Sequence, residues 1–300
     1  MLIDLLKQAQ KQAREALLEH EVYQIFATYE LDVPAWHFVS SLEAADQVPL
    51  AKFGDRLVLK VADANISHKS DLGGVVVVNK SELAIQLSEM LAKFKSAAGI
   101  LVMDFLEHSA SALGGEIMFG VRQTEAFGAV LTCGPGGSDA EQVAKMLAPN
   151  QGHRIIGLGD NPDGQWADFF NHTAVVDYFL GRVRGKAAQV EMSQFVKWAK
   201  ALQNIVQTTA EAGFEIQELE INPLSASHGK LFALDALFRF QEAKTNRVRP
   251  GIRDHAQRQP AITALLNPQT VGVIGVSSQG LNPGRVVAVS YTHLTLPTKR

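Results

Sequence analysis

The stretch LVLKVADANISHKSDLGGVVVV, residues 57–78, decides how this chain is read. Leu57, Val58 and Leu59 open an apolar run that continues past Lys60 to Val61, the composition of a strand buried on both faces. A lysine in such a strand needs a partner, because an ammonium taken out of water is costly unless an anion meets it. Lys60 is therefore at an exposed strand end or aimed at an anion. Beyond it, His68, Lys69, Ser70 and Asp71 read as a loop, and Gly73-Gly74 leads into a second strand over residues 75–78. Glycines let a backbone approach an anion, and a histidine ring can attack or relay a phosphoryl group, so the arrangement suits phosphate chemistry. The alternative is a β-hairpin whose loop carries solvated lysines.

Around this stretch the chain has ordinary globular composition, 46% hydrophobic and 20% charged. Its 300 residues suggest two lobes or more. A net charge of −3 offers no basic surface for nucleic acid or an anionic membrane. Cys133 is the one cysteine, which excludes an intrachain disulfide and a cysteine-rich zinc site, and its small apolar neighbours mark it as a packing residue. No run reaches the ~18–20 apolar residues of a membrane span. Residues 1–21 alternate apolar and charged positions at helical spacing and lack the apolar core of a secretion signal, so the expected location is cytoplasmic.

Residues 2–29 read as one or two amphipathic helices, followed by a turn at Val33-Pro34 and a strand over 36–39. Ser40 or Ser41 caps a helix from 41 to 45. A further helix is expected over 81–96 and strands over 100–106 and 114–121, the latter with Glu116 at its start. A solvated strand end is the simple reading of Glu116. The segment LTCGPGGSDAE, residues 131–141, places Gly134, Gly136 and Gly137 after a strand, with Glu141 at the mouth of the next helix. Such a turn can cradle phosphates through backbone amides, but it has neither the lysine of a P-loop nor Rossmann spacing. Residues 150–165 are rich in Gly, Asn, Asp and Pro and read as an exposed connection, and a helix is expected over 192–213.

The segment ELEINPL, residues 218–224, and LFALD, residues 231–235, read as two strands joined by a polar turn at His228, Gly229 and Lys230. Such a hairpin would bring Asn222 and Asp235 side by side as hard oxygen ligands of the kind Mg²⁺ prefers, unless these are ordinary polar strand ends. Residues 243–264 have the composition of a linker, and 265–287 read as a strand and glycine turn ahead of a helix.

The lysine-strand, HKSD and two-glycine pattern, the GxGG turn and the INPL hairpin together resemble the NDP-forming acyl-CoA synthetases, relatives of the succinyl-CoA synthetase β subunit, over most of residues 15–287. The resemblance implies a mixed α+β and α/β fold, an ATP-grasp domain of two lobes over 1–242, followed by the first strand and turn of a Rossmann-like CoA-binding domain at 265–287. It implies an acid–CoA ligase (ADP-forming), incomplete in this chain, in which phosphate passes through histidine. ATP or ADP, Mg²⁺ and CoA would be its cofactors; phosphate and a carboxylic acid or its acyl-CoA its ligands; and a separate CoA-ligase domain or subunit its partner, with oligomerisation open. Carried over position by position, Lys60, Glu116, Gly134, Gly136 and Gly137 would face the nucleotide and Asn222 and Asp235 would hold Mg²⁺. His68 would relay the phosphoryl group, and Glu220 would lie where a phosphohistidine is received. The family's turn glycine before Val33-Pro34 is replaced here by Glu30. A non-catalytic nucleotide sensor is the alternative, against which the joint presence of Lys60, His68, Asn222 and Asp235 argues.

Residues 288–300 depart from this pattern and resemble translated adapter sequence, so we expect a non-native tail beginning near Ala288. Sequencing the source DNA across that junction tests this; one uninterrupted native frame through Arg300 would contradict it.

Overall fold

A computed structural model of the chain describes residues 1–64, 72–108, 113–148, 151–159, 163–243, 255–267, 273–276, 279–280 and 282–295. The expected relay residue His68 lies outside the described residues. The chain divides into two units, Met1–Ala243 and Lys244–Arg300.

In the first unit the elements run α1 (Leu2–Lys11), β1 (Ala16–Leu17), α2 (Glu19–Thr28), β2 (Trp36–Val39), α3 (Leu42–Ala45), β3 (Arg56–Ala62) and β4 (Val75–Asn79). They continue with α4 (Leu83–Lys93), β5 (Gly99–Asp104), β6 (Glu116–Thr124), β7 (Gly128–Pro135), α5 (Ala140–Met146) and β8 (Arg154–Gly157). The rest of the unit is α6 (Asp163–Asn171), α7 (Val176–Phe179), α8 (Met192–Glu211), β9 (Phe214–Ser227), β10 (Lys230–Ala233) and β11 (Ala236–Glu242). Two antiparallel sheets result. The smaller has the order β2-β5-β3-β4; the larger runs β1-β11-β9-β6-β7-β8, with β10 also paired to β9.

The apolar run of residues 57–61 lies in β3, between β4 and β5, where Leu57, Leu59 and Val61 are fully buried. These three pack with Val39, Ile100 and Val102 and with the α4 face formed by Leu83, Leu87 and Met90. The larger sheet has its own core. Helix α8 buries Phe195, Trp198, Leu202 and Ile205, at spacings of three and four that place them on one face. Phe195 meets Phe170 of α6 at 5.3 Å between ring centroids, and Trp198 meets Phe26 of α2 edge-on at 5.5 Å. Cys133 is fully buried, which pushes its thiol well above the ordinary range.

Most expected elements appear within a few residues of their expected ends, and Ser41 caps α3 by accepting from the Ala44 amide. Residues 150–165 differ. A strand, β8, and the first turn of α6 lie in this stretch because Arg154–Gly157 adds as an edge strand to β7, a pairing its polar surroundings hide. In the second unit the helix α9 (His255–Leu266) covers part of the stretch that reads as a linker, and α10 (Pro283–Thr295) runs across the position where the tail was expected to begin. No strand occurs among the described residues 273–276.

The turn after α2 bears a cost. The Leu31 amide donates to the Phe26 carbonyl, a bond that closes a helix through a left-handed residue, and that residue is Glu30 at φ 55°. A Cβ there costs roughly 1 kcal/mol or more, which glycine avoids. Glu30→Gly is therefore expected to stabilise the unit by about 1 kcal/mol, raising Tm by roughly 2–4 °C in thermal unfolding. An unchanged or lower Tm would contradict this.

Candidate functional site

The site is built where the small sheet meets the large one. Lys60, in the centre of β3, is 6% exposed, so the exposed-strand-end reading does not hold. Its ammonium meets an anion of the protein itself, donating to Glu19 Oε1 at 2.7 Å. Lys60 also donates to the Leu234 carbonyl and lies 3.4 Å from Asp235 Oδ1. Glu19 opens α2 and is itself buried. One turn on, the Tyr23 hydroxyl donates to the same Glu19 oxygen at 2.5 Å and stands 3.1 Å from the Leu234 carbonyl. Burial, with the Glu19 and Asp235 carboxylates nearby, holds the Tyr23 phenol well above its ordinary range, so at neutral pH it is a donor.

The second cluster grows from β9. Alternation along this strand buries Leu219 and Ile221 and leaves Glu218, Glu220 and Asn222 on the other face, only partly covered. The turn between β10 and β11 lies against it: the Asn222 amide donates to the Asp235 carbonyl at 3.2 Å, and the Leu234 amide to the Pro223 carbonyl at 2.9 Å. Asn222 and Asp235 are thus neighbours, as the hairpin reading expects. The Asn222 side chain donates to Glu220 Oε1 at 3.1 Å and accepts from the Gly137 amide at 2.8 Å. Asp235 Oδ1 caps the start of β11 by accepting from the Ala236 amide at 3.0 Å.

Glu116 is also in the protein interior, 6% exposed, which rules out a solvated strand end. Its partner is His108, whose Nε2 lies 3.1 Å from Glu116 Oε1 and whose Nδ1 is 2.8 Å from the Leu106 carbonyl. The glycine turn packs directly on this carboxylate. A Cβ at Gly137, whose φ is +76°, would fall 1.8 Å from Glu116 Oε2, and one at Gly136 would fall 2.5 Å from the Ile117 backbone. Gly134 has a similar reason, since a Cβ there would fall 2.3 Å from the His153 ring. All three glycines therefore serve close approach within the protein.

Lys60, Glu116, Gly137, Glu220, Asn222 and Asp235 are linked through these contacts. Sequence reasoning missed Glu19, Tyr23 and His108. The first two could have been found as an acid and a tyrosine four residues apart among apolar neighbours; His108 follows β5 in a loop with no motif. Arg182 is a surface charge, paired with Asp177 at 3.3 Å. Among the described residues no three His, Cys, Asp or Glu side chains converge as a metal cluster, and no helix is long and apolar enough to cross a membrane.

The ATP-grasp domain family matches residues 8–240. The chain belongs to that family. It is 28% identical over 228 residues to the ADP-forming 4-hydroxybutyrate–CoA ligase of Nitrosopumilus maritimus (strain SCM1), covering 72% of this chain and 29% of the relative. It is 28% identical over 271 residues to the ADP-forming acetate–CoA ligase II of Archaeoglobus fulgidus, covering 89% of this chain and 35% of the relative. The chain thus spans about a third of the length of these two relatives. Among solved structures, Ca. Korarchaeum cryptofilum ACD1 in complex with coenzyme A superposes with a TM-score of 0.65 at 24% identity, covering 80% of this chain and all of that one. That likeness concerns the fold.

The His108–Glu116 pair makes stability depend on pH. The hydrogen bond to Glu116 raises the His108 pKa above its ordinary value against the opposing effect of burial. The fold thus favours the protonated ring. Its contribution is complete below the ordinary histidine value of about 6.5 and is lost as pH rises through the higher folded value. Urea unfolding between about pH 6 and pH 8 is expected to show a fall in stability that is smaller in Glu116→Gln. Identical pH profiles for the two proteins would contradict the assignment.

Proposed function

We propose that this chain is the nucleotide-binding part of an ADP-forming acid–CoA ligase, interconverting acyl-CoA, ADP and phosphate with free acid, CoA and ATP by way of a phosphohistidine. The observation that carries this reading is the meeting of Lys60 and Asp235 at 3.4 Å, which joins the lysine strand to the INPL hairpin. Two motifs far apart in the chain thereby form one site. The names of the two sequence relatives support the same reading.

In this proposal Lys60 faces nucleotide phosphates, and Glu116 and the turn of Gly134, Gly136 and Gly137 line the nucleotide's side of the site. Three protein-level features set how they act. Lys60 offers a charge fixed at the junction of the sheets, so its ammonium is already placed when a phosphate arrives. Glu220 and Asn222, on the partly covered face of β9, present oxygens toward the same side. The glycine turn is held at two amides, Gly137 donating to Asn222 Oδ1 and Gly136 to the Glu116 carbonyl, so these contacts are made by the protein itself.

Asn222 and Asp235 are the residues that would hold Mg²⁺, and they fit it: hard oxygens on adjacent residues, with the Asp235 side chain 43% exposed and the Asn222 carbonyl oxygen keeping one lone pair beyond the Gly137 bond. Mg²⁺ there would neutralise phosphate charge. His68 would accept and pass on the phosphoryl group, and Glu220 would lie beside the incoming phosphohistidine. CoA, the acid and a CoA-ligase domain or subunit complete the proposed reaction, and its expected setting is the cytoplasm.

Incubation with γ-labelled ATP and Mg²⁺, with and without a separately supplied CoA-ligase half, tests the proposal. Acid-labile, base-stable label on the chain that disappears in His68→Ala is expected. Nucleotide binding with no such label, even with the other half present, would favour the sensor instead.

A further inference from the structure

Three oxygens surround the Lys60 ammonium: it donates to Glu19 Oε1 and to the Leu234 carbonyl, and Asp235 Oδ1 stands beside it as an ion-pair contact. The oxygens differ in kind. Glu19 is buried to 1% side-chain exposure and holds Lys60 at 2.7 Å, whereas Asp235 stands at 3.4 Å with its side chain 43% exposed. A phosphate that reaches Lys60 must replace one of these oxygens, and the long, open contact to Asp235 is the one it can reach. Glu19 and the Leu234 carbonyl stay as the frame from which the ammonium points.

Tyr23 completes that frame. Its hydroxyl lies within bonding distance of both the Glu19 carboxylate and the Leu234 carbonyl, the two fixed acceptors of Lys60. Helix α2 therefore carries, four residues apart, a carboxylate that grips the ammonium and a phenol that grips the carboxylate. Neither faces outward as a ligand contact would, since Tyr23 is fully buried and Glu19 is 3% exposed.

We propose that Glu19, held by Tyr23, is the positioning residue of Lys60, aiming its ammonium at the face where Asp235 and the phosphate lie. This rests on the nucleotide reading given above. It assigns to α2 a role in phosphate binding that requires no contact between α2 and the nucleotide. A residue acting this way affects ligands through their phosphates alone.

The test is the affinity of the full chain for ATP with Mg²⁺ and for adenosine, measured by equilibrium dialysis for wild type, Glu19→Gln, Tyr23→Phe, Lys60→Met and the double variant Glu19→Gln/Lys60→Met. Circular dichroism checks that each is folded. Glu19→Gln is expected to weaken ATP binding about 10-fold, the scale of one lost charge-assisted hydrogen bond, with adenosine affinity unchanged. Tyr23→Phe should shift ATP the same way by about 3-fold, and it carries the decision if Glu19→Gln does not fold. Added to Lys60→Met, Glu19→Gln should have no further effect on ATP, because its influence passes through the ammonium. If Lys60→Met binds ATP as wild type does, the nucleotide reading itself falls. If Lys60→Met weakens ATP binding while Glu19→Gln and Tyr23→Phe do not, or if they weaken adenosine equally, the positioning role alone is overturned.

Discussion

The structure of the first unit depends on a buried ammonium. Lys60 sits in an interior strand of the small sheet, and burying its charge unmatched would cost more than any one of the buried leucines and valines of that strand contributes. Glu19 meets that charge from a helix that packs on the other sheet. The pair therefore does more than neutralise: it ties β3, α2 and the β10–β11 turn to one point. Removing one partner of such a pair costs on the order of 3–5 kcal/mol, because the other is left uncompensated.

From that point the rest of the site follows by backbone register. The β10–β11 turn reaches Lys60 and also lies against β9, so Asn222 is placed beside Asp235 by strand pairing. Asn222 then fixes the glycine turn, and the turn packs on Glu116, which β6 holds opposite Ser225 of β9. Each link is short-range. Together they connect a residue of the small sheet to β6 in the interior of the large one.

Much of this was legible in the sequence, and the reasons are physical. The apolar run at residues 57–61 marked a buried strand, and a charge inside it pointed to an anion unless it lay at an exposed strand end. The hairpin at 218–235 was legible because its turn residues and alternation are local. What could not be read was the identity of the anion. The separation of Lys60 from Glu19 is 41 residues, and no local pattern says which helix crosses which strand. The short edge strand β8 was hidden for a related reason, since its four residues form a strand by pairing with β7 more than by their own composition. The glycines at 134, 136 and 137 were read for a ligand, and the structure gives them a second reason, contact with Glu116, Ile117 and His153.

The bond from Lys60 to the Leu234 carbonyl spans 174 residues of chain. During synthesis at about 5–20 residues per second, the ammonium leaves the ribosome roughly 10–35 s before the carbonyl that receives it. Glu19 is already out by then. The nascent chain therefore carries the ammonium and Glu19 together well before the carbonyl that completes their junction exists, and the contact linking Lys60 to the hairpin at 218–235 can form only once nearly all of the first unit has been made.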